Sequence, residues 1–126
     1  MQTQQNRRTV LIVDDEPDIC TALELVLNSE GYCAKAVPNR DAALRILADI
    51  RPAVILLDYR MPGLDAGDFV SQVRQQQTDI AVVLMTAGQS PAEKARTLGL
   101  QHYLPKPFEL ETLLDMLNRC CRETVQ

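Results

Sequence analysis

The chain has 126 residues, 46% of them hydrophobic, which suits one domain with its own core and excludes disorder. Its formal net charge is -4, with arginine and lysine scattered along it, so there is no basic stripe for direct nucleic-acid contact. The polar stretch 1–9 contains Arg7-Arg8 but no apolar core, so it is neither a signal peptide nor a membrane anchor, and a cytoplasmic location is expected.

Val10-Leu11-Ile12-Val13 is an apolar run without polar alternation, the mark of a strand covered on both faces in a parallel sheet. Asp14 and Asp15 close it. Pro17 suits the first turn of a helix striped by Ile19, Leu23, Val26 and Leu27 and ended by Gly31. Tyr32 to Val37 is a short second strand, and Asn39 caps a helix whose stripe is Ala43, Leu44, Leu47 and Ile50. A third strand starts at Pro52, runs through Val54-Ile55-Leu56-Leu57 and closes on Asp58. The Pro-Gly loop from Arg60 to Asp65 leads to a helix carrying Phe69, Val70 and Val73. Ile80 to Met85 forms the fourth strand, followed by Thr86. Ser90-Pro91-Ala92-Glu93 has the form of a capping box, opening a helix through Leu98 that Gly99 stops. Gln101 to Leu104 is the fifth strand, Lys106 follows it, and Leu110, Leu113, Leu114 and Leu117 stripe a last helix.

Strand and helix thus alternate five times with short connections and no internal repeat. With right-handed crossovers this is an α/β fold, a doubly wound (βα)5 open parallel sheet. The domain is expected over 9–122, with a flexible N-terminus at 1–8 and a C-terminal tail at 123–126.

Asp14, Asp15, Asp58, Thr86 and Lys106 all end apolar strands, so all five share the sheet's carboxyl edge. Like charges at about 4 Å in an effective dielectric near 20 repel by roughly 4 kcal/mol, so a cation is expected among the acids. Oxygen donors suit a hard divalent ion, and Mg²⁺ is the usual one where phosphate is handled. Lys106 reads either as a counter-ion or as a partner for phosphoryl oxygens. Cys20, Cys33, Cys120 and Cys121 show no CxxC spacing, and with His102 as the single histidine a zinc site lacks ligands. Cys20 and Cys33 read as small buried apolar residues, Cys120 and Cys121 as partly exposed, and His102 as an exposed strand residue.

On "VLIVDDEPD" at Val10 to Asp18, "VILLDYRMPGLD" at Val54 to Asp65, "VVLMTA" at Val82 to Ala87 and "YLPKPF" at Tyr103 to Phe108, the chain resembles the receiver domain of two-component response regulators, the CheY-like superfamily. The resemblance implies a flavodoxin-like sheet of order 2-1-3-4-5. It implies Asp58 as phosphoacceptor, with Asp15, Asp58 and the backbone carbonyl of Arg60 ligating Mg²⁺ directly and Asp14 holding the ion mainly through water. Lys106 would pair with the phosphoryl group, and the Lys106-Pro107 bond is expected to be cis. Thr86 and Tyr103 match the family's switch pair, acting on the surface of the fourth helix, fifth strand and fifth helix. Without the motif, Thr86 reads as a β-branched strand end and Tyr103 as a half-buried strand aromatic. The implied donor is a phosphohistidine on a sensor histidine kinase or phosphotransfer protein, with small acyl phosphates as substitutes.

The chain departs from the pattern in having Ala66 before Gly67, where many receivers carry glycine directly after the aspartate, so a shifted turn is expected. The resemblance implies that Arg60 and Gly88, two positions beyond the acceptor and the switch threonine, flank the path of water to the acceptor, and an effect on the lifetime of the phosphorylated state is expected without a sign. No DNA-binding or enzymatic module appears by Gln126, so output is expected through a partner or through an effector domain of a longer protein. The last-helix face with Glu111, Asp115, Asn118 and Arg119 reads as solvated, and a phosphorylation-dependent dimer through the fourth and fifth helices stands as a hypothesis. A haloacid dehalogenase-type phosphatase would want an acid where Arg60 stands. An FMN phosphate would be repelled by Asp14-Asp15-Glu16, and a receiver working without phosphorylation would not need the complete set of five.

Overall fold

The computed structural model describes residues 8–63, 65–77 and 79–125. The expected flexible N-terminus lies outside these apart from Arg8. Five strands, β1 (Thr9–Val13), β2 (Cys33–Val37), β3 (Val54–Asp58), β4 (Ala81–Thr86) and β5 (His102–Pro105), alternate with five helices, α1 (Pro17–Ser29), α2 (Arg40–Ile46), α3 (Ala66–Gln76), α4 (Pro91–Thr97) and α5 (Leu110–Val125). The sheet order is β2-β1-β3-β4-β5, every pair is parallel, and the fold is the expected flavodoxin-like one. Among the described residues, no helix is long and apolar enough to cross a membrane.

Strand periodicity divides the core in two. Leu11, Val13, Ile55, Leu57, Val82 and Leu84 face α2, α3 and α4, meeting Ala43, Phe69, Val73 and Ala95. Val10, Ile12, Val54, Leu56, Val83 and Met85 face α1 and α5, meeting Leu27, Leu113 and Leu117. Because both faces are covered, β1 and β3 are buried at every position, which is why they carry unbroken apolar runs.

Helix ends show where local signals held. Gly31 at φ 94° follows α1, and the Tyr32 N–H donates to the Leu27 carbonyl at 3.0 Å. Asn39 caps α2, its side chain accepting from the Ala42 N–H. Ser90 does not form the expected capping box: it sits at φ 58°, ψ 49° and makes no side-chain cap bond. A serine cap needs extended backbone to aim its hydroxyl at the helix N–H groups, and the left-handed region turns it away. α2 is short, so Ile50 lies beyond it, half-buried. The buried Gln77 side chain instead donates to the Leu47 carbonyl there, at 3.0 Å.

The cysteines differ from expectation. Cys120 and Cys121 are 0% and 5% exposed, because α5 runs on to Val125 and places them against the second core. That helix extends past the domain end expected at 122. Cys33 is exposed, since it opens the edge strand β2, and Cys20 is half-buried. His102 is half-buried rather than exposed, while Leu110 at 43% exposure lies outside the buried stripe of α5. The Glu111, Asp115, Asn118 and Arg119 face is exposed as expected.

The open side of β2 is covered by side chains of α1. Glu24 Oε2 accepts from the Ala36 N–H at 2.8 Å, and Asn28 Oδ1, one turn further on, accepts from the Ala34 N–H at 3.0 Å. Edge-strand amides left bare are templates for strand addition. Replacing both Glu24 and Asn28 by alanine is expected to cost about 1 kcal/mol per lost bond. The variant should also sediment at higher mass than the parent at equal concentration; unchanged mass and stability would show the two bonds to be dispensable.

Candidate functional site

Parallel strands bring their carboxyl ends to one edge, and the register aligns β1 with β3 directly: Val13 pairs with Leu57. The residues that follow, Asp14 and Asp58, are therefore neighbours although far apart in sequence. One carboxylate oxygen from each of Asp14, Asp15 and Asp58 lies within 4.8 Å of the others. Asp14 and Asp58 are buried and Asp15 is exposed. Lys106, after β5, reaches across β4 and donates from Nζ to Asp58 Oδ1 at 3.1 Å and Asp14 Oδ2 at 3.3 Å. The Lys106-Pro107 peptide bond is cis.

A cleft of about 400 Å³ opens over this cluster, lined by Asp15, Glu16, Asp58, Arg60, Thr86, Ala87 and Lys106. Thr86 is almost fully buried, and its hydroxyl donates to the Ala87 carbonyl at 3.1 Å. Tyr103 is not in the cleft lining. It is half-buried on β5, opposite Leu84, and packs on the core beneath α2, α3 and α4. Asp65 caps α3, its Oδ1 accepting from the N–H groups of Gly67 at 2.6 Å and Asp68 at 3.3 Å. Leu64 of that loop lies outside the described residues, while Gly63 takes the positive φ of 95° and Gly67 sits inside α3.

Two features had no signal in the sequence. Asp14 Oδ1 accepts from the Glu16 N–H at 3.0 Å and its backbone carbonyl accepts from the Cys20 thiol at 3.2 Å, so this acid also ties β1 to the start of α1. Arg40, at the first position of α2, is 3% exposed, with a guanidinium that donates to the backbone carbonyls of Asp58, Tyr59 and Met61. An arginine after a helix cap reads from sequence as a solvated residue.

Burial pushes the Asp58 carboxyl above the ordinary carboxylate range, and Asp14 adds to this, against the opposing pull of Lys106. Burial by itself lowers the Lys106 ammonium, but Asp58 and Asp14 together hold it above the usual lysine value. One lysine thus offsets part of the negative charge. An all-oxygen set of three carboxylates with an excess of negative charge fits a hard divalent cation such as Mg²⁺.

Residues 10–118 match the family model described as response regulator receiver domain. The chain belongs to that family. The receiver is 34% identical over 117 residues to the response regulator MprA of Mycobacterium sp. strain KMS, the match covering 91% of this chain and 51% of the relative. MprA of Mycobacterium avium strain 104 matches with the same identity and coverage. The receiver therefore spans about half the length of the curated relatives it matches. Among solved structures, chemotaxis protein CheY4 of Vibrio cholerae is 32% identical with a TM-score of 0.81, covering 89% of this chain and 97% of that one. The receiver domain of Francisella response regulator 1452, 24% identical with a TM-score of 0.83 over 93% of this chain and 98% of that one, shares the fold. This chain is a receiver domain of a two-component response regulator, with an aspartate cluster compatible with Mg²⁺.

An acid whose folded value lies above its unfolded value keeps its proton in the folded chain while the unfolded chain has lost it. Stability therefore falls as pH rises through that window. Lys106, also raised, acts with the same sign in a more alkaline window: its contribution is full below the ordinary lysine value and is lost as pH rises through its elevated value. Without metal, Asp58→Asn is expected to raise the thermal midpoint at neutral pH. The gain should shrink towards acid pH, which calorimetry of parent and variant across pH checks; a pH-independent difference would contradict the charge argument.

Proposed function

We propose that the receiver takes a phosphoryl group from the phosphohistidine of a sensor histidine kinase or phosphotransfer protein onto Asp58, and that Mg²⁺ is required. The observation that carries this reading is the Asp58 carboxylate bonded to Lys106 Nζ at 3.1 Å in a cleft also lined by Asp15 and Thr86. Asp15, Asp58 and the Arg60 backbone carbonyl would hold the ion directly. Both oxygens of Asp14 already accept bonds, from the Glu16 N–H and from Lys106, which suits a role through water. Bound there, Mg²⁺ supplies the positive charge that lets an anionic acceptor approach an anionic phosphoryl group.

An Asp58 oxygen attacks phosphorus, the P–N bond to the donor imidazole breaks, and the electron pair leaves with that ring. Lys106 exchanges a carboxylate contact for a phosphoryl oxygen, so its charge stays paired. The product is an acyl phosphate that water later cleaves, with Arg60 and Gly88 beside the water's path. The Thr86 hydroxyl gives up the Ala87 carbonyl for the phosphoryl group, and the Tyr103 ring turns inward. The surface of α4, β5 and α5 then changes for an output partner or an effector domain, and a phosphorylation-dependent dimer through α4 and α5 is one form of that output. Residues 9–122 carry this role, in the cytoplasm and without direct contact to nucleic acid or membrane.

Incubation with Mg²⁺ and acetyl phosphate is expected to add one phosphoryl group to the parent and none to Asp58→Asn, read by intact mass spectrometry. Equal addition to both would reject Asp58 as acceptor. Failure of the parent both to gain the group and to bind beryllofluoride with Mg²⁺ would reject the reading as a whole.

A further inference from the structure

Arg40 is the one arginine or lysine among the buried polar residues of the described chain, and it faces the loop that follows β3. Its Nη2 donates to the carbonyl of Asp58 at 3.2 Å and of Tyr59 at 2.9 Å, and its Nη1 to that of Met61 at 3.4 Å. These carbonyls flank that of Arg60 on both sides. Burying a guanidinium is expensive unless its donors are used, and here Nη1 and Nη2 are spent on backbone at the end of β3 and in the loop after it. Its charge also lies within electrostatic reach of Asp58, Asp65 and Asp15.

We propose that Arg40 is a positioning residue for divalent-cation binding: by gripping the carbonyls on either side, it sets the backbone so that the Arg60 carbonyl and the Asp58 carboxylate converge on the cation. This rests on the metal site proposed above. Lysine cannot replace the grip, because a single ammonium does not span carbonyls three residues apart as a planar fork does.

Two roles for Arg40 predict opposite signs. As a bare counter-charge to the acids, Arg40 repels the cation, so Arg40→Met should tighten Mg²⁺ binding and Arg40→Lys should leave it unchanged. As a positioning residue, it favours binding, so both variants should weaken Mg²⁺, by roughly 10-fold or more, as is usual when a group orienting a metal ligand is lost. The experiment is titration of Mg²⁺ alone into parent, Arg40→Met, Arg40→Lys and Gln77→Ala, each checked for native circular dichroism. Gln77→Ala removes a buried bond to the carbonyl of Leu47, away from the cleft, and controls for general loosening. Weaker binding in both Arg40 variants with Gln77→Ala at the parent value is the expected result. If Arg40→Met is insoluble, Arg40→Lys alone decides between weaker and unchanged binding. Parental or tighter affinity in the folded variants would overturn the inference and leave the metal site standing. A parent that does not bind Mg²⁺ would overturn the metal site itself, and the inference with it.

Discussion

The carboxylates of Asp14, Asp15 and Asp58 stand within 4.8 Å of one another, and two of them are shut away from the solvent that would screen their repulsion. A structure that holds such a cluster must compensate for it. Lys106 is the closest compensation, bonded to the two buried members of the set. Asp14 is held further by the Glu16 N–H, and Arg40 adds a second cation, this one buried, at the β3 loop. Burial first, and Asp14 after it, keep the Asp58 carboxyl raised in spite of Lys106.

The sheet makes this tension tolerable. β1 and β3 are buried throughout and hydrogen-bonded on both sides, so the acids are carried on the most constrained backbone in the molecule. Each fully buried Val, Leu or Ile on these strands contributes roughly 1.5–3 kcal/mol, a reserve against which a few kilocalories of charge repulsion are affordable. The elements above the edge are less regular: Ser90 opens α4 in the left-handed region, and Lys94 of that helix lies 5.0 Å from the Tyr59 ring. Rigid strands and shorter, strained connections are a suitable division of labour for a site whose neighbours must move while its ligands stay.

Legibility in the sequence followed the same division. Asp14, Asp15, Asp58, Thr86 and Lys106 each end an apolar run, and period and burial are the strongest signals a sequence carries, so their meeting at one edge was readable. Tyr103 was readable as a half-buried strand aromatic, while its part in a switch depends on the resemblance. Ser90 has every local mark of a cap, yet its own left-handed backbone, two residues after the positive-φ Gly88, defeats it. Cys120 and Cys121 looked exposed only because nothing in the pattern showed how far α5 continues against the second core. Arg40 was invisible for a deeper reason: its partners are backbone carbonyls, and main-chain acceptors leave no trace in side-chain identity.

The ion pair between Asp14 and Lys106 joins residues 92 positions apart. On a growing chain the three acids are all made before the lysine that offsets them, and the strand that presents it is the last of the five to be made and lies at the sheet's edge. A nascent chain short of β5 therefore carries an over-charged, half-built rim, and a truncated product carries the same defect. The cleft is complete only once β5 is in place, so the site forms together with completion of the sheet.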